Sequence, residues 1–318
     1  MIPQSGIDVI RLILSPIFFN KEYFKNDKYV DPHNRLTIHQ VGMFYTLEIH
    51  IEYMDLLEDI HYTIAKAIYD LIFKGFIFFP FFEQLLYFIK EHLNWFVLGI
   101  SEVEFYFNLI RKSVIVNEKA VENGNLNQFK ENSECQYSFY SNDYRIKKQT
   151  NKKTEKVTRK IITHSRAHLY DKKNKDILDN HTKHKELNNN PFDIRLEFKL
   201  FRDNCNFLSL NNFQGNYNEV LNRYIPLLAV YYNNYIHGHI HVKGKNNKEL
   251  TKVIRKSRST GVRYRNITLK TTEPIPHWVR KKNIDYKEQV KNIILEQENV
   301  NKELPDIVKN HLQNEYLK

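Results

Sequence analysis

The chain is poor in cysteine: Cys135 and Cys205 are the only two in 318 residues, and they lie far apart. Without a CxxC pair, neither a zinc site nor a disulfide framework is indicated. No basic run followed by a continuous apolar core and a small-residue cleavage site opens the sequence, which therefore reads as intracellular and cytoplasmic. Nor does any uncharged stretch reach the ~18 residues that a membrane span requires. The most apolar segment, AIYDLIFKGFIFFPFFEQLLYFIKEHLNWFVLGI (67–100), is interrupted by Asp70, Lys74, Glu83 and Lys90, and Pro80 would break a helix there. It reads as two helices packed on a sheet, so no stable membrane insertion is expected. There is no internal repeat.

Positive charge is present in excess and unevenly spread. The formal net charge is +11, yet residues 1–100 hold 8 Lys and Arg against 12 Asp and Glu, leaving 40 against 25 for the rest. That asymmetry points to a negatively charged partner, most often nucleic acid, for the C-terminal two-thirds. An AT-rich coding sequence, which favours Lys, Asn, Ile, Phe and Tyr codons, would account for part of the composition without any function.

Periodicity gives the elements. GIDVIRLIL (6–14) is apolar on both sides and reads as a buried strand, with Asp8 beside Ile10, Leu12 and Leu14. VGMFYTLEIHIEY (41–53) reads as a second strand, and Leu57, Ile60, Ile64, Ile68 and Leu71 recur at helical spacing behind it. A second helix is expected near 81–93, then a strand in WFVLGISEVEFYFNLI (95–110). Residues 117–134 read as loop. CQYSFYSN (135–142) and ITHSRAHLYDKKNKDIL (162–178) read as a hairpin-rich strand region joined by a solvated basic connection, KKQTNKKTEKVTRK (147–160). NHTKHKELNNNP (180–191) is a loop. DIRLEFKLF (193–201) alternates cleanly, and a long helix follows over about 217–235, in which Pro226 would introduce a kink or a break. The expected fold class is α+β: a mainly antiparallel β-sheet core covered by helices, with a basic, partly helical C-terminal extension. The expected domains are 1–235 and 236–318.

Three strands carry unusual polar faces. ISEVEFYFN (100–108) puts Glu102, Glu104, Tyr106 and Asn108 on one side. SRAHLYDKK (165–173) does so with Arg166, His168, Tyr170 and Lys172, and DIRLEFKL (193–200) with Arg195, Glu197 and Lys199. If these strands share a sheet, carboxylates, a tyrosine and basic groups converge on one face. Such groups suit phosphodiester cleavage: a hydroxyl attacks phosphorus, carboxylates hold a hard cation, and Arg or Lys orients the phosphate. Alternation by itself also describes any amphipathic sheet with a solvated face.

The order of these segments resembles the replication initiators of rolling-circle plasmids (the replication initiation factor family, Rep_trans type) and their filamentous-phage relatives. An opening strand "iDxLxltf" is similar to GIDVIRLIL, and "isRiDlafD" to ISEVEFYFN, with Glu104 at the first Asp and Asn108 at the second. "fRiYdKxxE" is similar to AHLYDKKNKD, which sets Tyr170 at the tyrosine, Lys172 at the lysine and Asp176 near the acidic end. "xRxElxLkR" is similar to IRLEFKLFRD, with Arg195, Glu197 and Lys199 in place and Arg202 one position late. The likeness spans roughly residues 6–235. It implies an enzyme that nicks and religates one origin strand through a 5′-phosphotyrosyl link, leaving a free 3′-OH primer. Tyr170, Lys172 and Arg166 would be catalytic, Glu104 and Glu197 would hold Mg or Mn, and origin DNA, single- and double-stranded, would be the partner. This chain departs from the pattern in having Glu102 for an Arg, Asn108 for an Asp and a longer Glu104. A non-enzymatic DNA-binding protein of a plasmid or phage is the alternative.

HGHIHVKG (237–244) is the other conspicuous motif. On a strand, His239 and His241 would point to one side and could hold a divalent metal, as in a histidine-metal nuclease. Gly238 and Gly244 bracket the triplet, however, which suits a turn or short hairpin. Past it, KVIRKSRSTGVRYRN (252–266) suits phosphate contacts through Arg255, Lys256, Arg258, Arg263 and Arg265, unless it is only a linker. The helical stretch EQVKNIILEQENVNKEL (288–304) is a candidate homodimer helix or a peripheral packing helix.

Overall fold

The computed structural model describes residues 4–15, 18–20, 23–24, 28–33, 35–41, 44–50, 58–116, 126–128, 138–150, 157–172, 192–201, 208–237, 240–242, 247–260, 306 and 310. The elements run β1 (Ser5–Leu14), β2 (Lys28–Val30), β3 (Leu36–Val41), β4 (Phe44–His50), α1 (Ile60–Phe73), α2 (Leu85–Glu91) and α3 (Leu93–Phe96). They continue with β5 (Val97–Leu109), β6 (Val114–Val116), β7 (Leu126–Gln128), β8 (Ser138–Thr150), β9 (Val157–Asp171) and β10 (Ile194–Phe201). Last come α4 (Tyr217–Tyr231), a π-turn (Tyr232–Ile236), β11 (Ile240–Val242) and α5 (Lys248–Thr260). The described residues form two compact units. One draws on Met1–Ile10, Ser101–Leu208 and Tyr217–Lys270, the other on Arg11–Ile100, Ser209–Asn216 and Thr271–Lys318.

In the first unit the strand order is β1-β5-β10-β9-β8-β7, and the pairs β5–β10, β10–β9, β9–β8 and β8–β7 are antiparallel. The fold is α+β with a mainly antiparallel sheet, as the periodicity implies. Because side chains alternate, β5 and β10 each offer one apolar face: Val103, Phe105 and Phe107 on one strand, Ile194, Leu196, Phe198 and Leu200 on the other, all buried. Helix α4 meets this face, the Tyr224 ring lying 5.0 Å from that of Phe105. Pro226 does not split α4. Both Pro226 and Asn222, whose carbonyl loses its helical partner, lie on the exposed side, where water can serve that carbonyl.

In the second unit the order is β2-β3-β4-β1-β5. Asp59 caps α1 by accepting the His61 N–H at 2.7 Å, and Ile60, Ile64, Ile68 and Leu71 form its buried stripe. Leu57, the expected first member of that stripe, lies outside the described residues. The apolar segment 67–100 resolves into the end of α1, a connection holding Pro80, helices α2 and α3, and the start of β5. Its aromatic rings pack against Phe18, whose ring lies 5.3 Å from those of both Phe79, edge to face, and Phe96. Among the described residues no helix is long and apolar enough to cross a membrane.

Four local expectations change. Trp95 and Phe96 belong to α3, so the strand begins at Val97. The stretch read as loop contains β7. Much of the basic connection is strand, since β8 and β9 pair as far as Thr150↔Val157, with Lys147 opposite Lys160. The Lys/Arg-rich run from Lys248 is helical, with Leu250, Val253 and Ser257 buried at helical spacing and its cations outside.

One close approach fixes the polar side of the first sheet. A Cβ on Gly6 would sit 2.6 Å from the Tyr106 ring and hydroxyl. That ring is 1% exposed and has the Arg195 guanidinium 4.2 Å from its centroid, so it has nowhere to go. Gly6→Ala is expected to destabilise the protein by about 1–3 kcal/mol through overpacking, read from the urea midpoint at unchanged m-value.

Candidate functional site: a polar sheet face

Register brings the three polar strand faces together. Arg195 sits opposite Asn108 on β5 and Tyr170 on β9; Glu197 sits opposite Tyr106 and His168; Lys199 sits opposite Glu104 and Arg166. β1 adds Asp8. On one face of the first unit's sheet, acidic, basic and phenolic groups therefore occupy successive cross-strand rows. Most are sequestered: Tyr170 is 3% exposed, Glu197 4%, Arg195 6% and Glu102 2%.

The hydrogen bonds form a chain. The Tyr170 hydroxyl donates to Glu197 Oε1. Arg195 donates through Nε to Asn108 Oδ1 and through Nη1 to Asp8 Oδ1, both at 3.0 Å, and its Nη1 lies 3.7 Å from Glu197 Oε1. Lys199 Nζ is 2.6 Å from Glu102 Oε1 and 3.4 Å from Glu104 Oε2. His168 stacks against Tyr170, with centroids 4.4 Å apart, and its Nδ1 is 3.8 Å from Glu197 Oε2.

Burial dominates the protonation states. It raises the Tyr170 hydroxyl well above the ordinary phenol range, and the neighbouring Glu197 charge adds to the shift. It likewise pushes Tyr106 up to about 12. Burial opposes charge on Arg195 too, but Tyr170, Asp8 and Glu197 outweigh it and raise that guanidinium further. Glu104 is pushed up to about 7 by burial first, then by the Glu197 charge and a hydrogen bond with Glu197. Lys199 works the other way and is outweighed.

The Glu104 shift has a testable sign. Its folded value lies above the unfolded 4.5, so the native state binds the extra proton and its stability falls as pH rises from about 4.5 to 7. Glu104→Gln mimics the protonated form. Its melting temperature is expected to exceed the parent's at pH 8 and to match it near pH 4.5, and thermal melts across that range check this.

The structure places the other expected site residues as follows. Arg166 is at a register position opposite Lys199, and its side chain lies outside the described residues. Lys172 follows the end of β9, its N–H bonded to Asp193 O at 2.9 Å. Arg255, Lys256 and Arg258 are exposed on α5. His239, Arg263 and Arg265 lie outside the described residues. His241 is on a strand rather than in a turn: Ile240, His241 and Val242 pair with Val116, Ile115 and Val114, and His241 is exposed. That pairing joins segments more than a hundred residues apart, so the flanking glycines carried no sign of it.

Two residues were not assigned from sequence. Asp8 anchors Arg195, and its signal was a lone acid in an otherwise apolar strand. Asn247, 2% exposed, donates to Gln4 O at 2.7 Å and Asn108 O at 3.3 Å while accepting the Leu250 N–H at 2.9 Å. It caps α5 and ties it to β5, a role that no local pattern announces. The three departures from the initiator pattern also have structural partners, Glu102 and Glu104 on Lys199 and Asn108 on Arg195.

Among the described residues, no three His, Cys, Asp or Glu side chains are arranged as a ready metal site. Compared with protein-family models, curated proteins and solved structures, the chain finds no match.

Proposed function

We propose that this polar face is the nicking site of a DNA strand nicking and closing enzyme of the rolling-circle replication-initiator type. The observation that carries the reading is the Tyr170–Glu197 hydrogen bond set beside Arg195 and Lys199 on one sheet face. In this reading Tyr170 Oη forms a bond to phosphorus while the bond from phosphorus to O3′ breaks. Glu197 takes the phenolic proton, the released 3′-oxygen takes one from water, and Arg195 and Lys199 offset charge on the phosphoryl oxygens. The reverse sequence recloses the strand. The exposed Arg255, Lys256 and Arg258 on α5 would track the DNA backbone.

Two of the acids, Glu104 and Glu197, are close enough to hydrogen-bond to each other, and a carboxylate pair suits a hard divalent cation. Among the described residues Asp8, Glu102, Glu104 and Glu197 face Arg195, Lys199 and His168, and Glu104 is raised by burial first and then by the Glu197 charge. Glu104 and Glu197 would hold Mg or Mn, whose chemistry there would be to stabilise charge on the phosphate oxygens.

A second reading, a DNA-binding replication or maintenance protein without the chemistry, is favoured by the burial of Tyr170. One assay separates them: origin-like single-stranded DNA with manganese, followed by a search for a covalent protein–DNA adduct. An adduct supports the nicking reading. Tight, salt-dependent binding with no adduct under any metal supports the second. Cleavage lost only in His239→Ala or His241→Ala would shift the chemistry to the histidine motif.

A further inference from the structure

The second unit has an open cleft of about 660 Å³, within the roughly 300–1,000 Å³ of small-molecule sites. Its walls are aromatic. Tyr29 lies 4.5 Å and Tyr23 5.2 Å, centroid to centroid, from Phe76, and Phe73 stands at the rim. Two of these rings are held out to solvent, Tyr23 at 57% and Phe73 at 75% exposure. Leaving such rings in water is unfavourable unless something stacks on them.

The cleft is also charged, with Asp31 and Asp70 lining it alongside Arg35 and Lys74. Lys74 Nζ bonds Asp31 Oδ1 at 2.7 Å, and Arg35 Nε lies 4.0 Å from Asp31 Oδ2. The Asp31 carboxylate is nearly buried, 7% exposed, and its Oδ2 also accepts the His33 N–H at 3.1 Å. Asp31 thus holds two cations beside the rings, while both remain partly open, Arg35 at 40% and Lys74 at 31%. A wholly apolar ligand would strip water from these charges without replacing it. A small inorganic anion would leave the rings unused. The combination calls for a flat ring joined to an anionic group.

We propose that this cleft binds a nucleotide, its base stacked on the exposed tyrosine and phenylalanine rings and its phosphate on Arg35 and Lys74. Aromatic stacking with adjacent cations is the usual means of holding an unpaired base without reading its sequence. The same chemistry belongs to a free nucleotide and to a nucleotide within single-stranded DNA. The proposal does not depend on the Tyr170 reading, because every residue in it belongs to the other unit.

The test is calorimetric titration of the full chain with thymidine 5′-monophosphate and with a six-residue oligothymidylate. Tyr23→Ala is expected to weaken binding of whichever probe binds by roughly 5- to 100-fold, the loss typical of one stacked base. Because Tyr23 is mostly exposed, that variant should melt like the parent. Arg35→Ala should weaken binding and flatten its salt dependence. The titrations read binding in the absence of metal and of any cleavage, so a failure of the nicking reading would not be mistaken for a failure here. Equal affinity for the two probes identifies a free-nucleotide site, and at least tenfold preference for the oligomer identifies a strand site. Parent protein that binds neither probe at millimolar concentration, or Tyr23→Ala that binds like the parent, overturns the proposal.

Discussion

Under the proposed nicking reading, replacing Tyr170 with Phe is expected to abolish the covalent adduct with single-stranded DNA, lowering nicking by roughly a thousandfold or more while DNA binding stays within a fewfold of the parent. The substitution removes one oxygen. The ring keeps its contact with His168, and Glu197 keeps the cation of Arg195 nearby. Packing should therefore survive, and only the nucleophile and its hydrogen bond should be lost. Gel analysis of denatured reactions with end-labelled DNA reads the adduct, and a filter-binding curve reads affinity. An adduct that persists in the Phe variant would move the nucleophile to another tyrosine and remove the main support for the assignment. The burial of Tyr170 adds a condition: DNA must displace whatever screens the hydroxyl, so adduct formation should lag binding in a rapid-mixing experiment.

Arg195→Met is expected to be the most destabilising single change on this face, by about 3–5 kcal/mol. The guanidinium is 92% lost from solvent as a side chain, bonds Asp8 and Asn108, approaches Glu197 and covers the Tyr106 ring. Met keeps much of the volume but none of the charge. Asp8, Glu104 and Glu197 would then share a low-polarity site with one cation fewer, and the penalty arises from those stranded carboxylates more than from the missing bonds. It should consequently shrink on acidification, as protonation relieves the repulsion. Urea melts at pH 5 and pH 8 test this: a loss of equal size at both would show that packing, rather than charge, is what Arg195 contributes.

The contents of this face were legible in the sequence, while its assembly was not. Period-two alternation in DIRLEFKLF divides Ile194, Leu196, Phe198 and Leu200 from Arg195, Glu197 and Lys199, and the structure keeps that division. An antiparallel sheet with helices on it was readable for the same reason, since burying the apolar halves demands a cover such as α4. Register was out of reach, because a strand does not state its partner: nothing local says that Glu197 stands between Tyr106 and His168. Asp8 illustrates the limit. It shares an apolar strand whose two faces are both covered, so alternation gave it no direction, and its function depends on a guanidinium far along the chain. The basic run from Lys248 was read by composition alone. Its helical period rests on Leu250, Val253 and Ser257, too few apolar positions to stand out among the lysines and arginines.

The contacts on this face also set an order of assembly. β8 and β9 are consecutive strands that pair through a short connection, so their ladder can close early with little loss of chain freedom. The Arg195–Asp8 contact spans 187 positions, Lys199–Glu104 spans 95, and Tyr170–Glu197 only 27. Because distant pairings must pay their loop-closure entropy before they gain anything, Tyr170 and Glu197 should meet before β5 and β1 arrive with Glu104 and Asp8. A refolding chain would thus acquire its hairpin first and its balanced charge cluster last. For the interval between, Glu197 would stand without the guanidinium's partner on β1, which makes the cluster a late checkpoint on correct strand pairing.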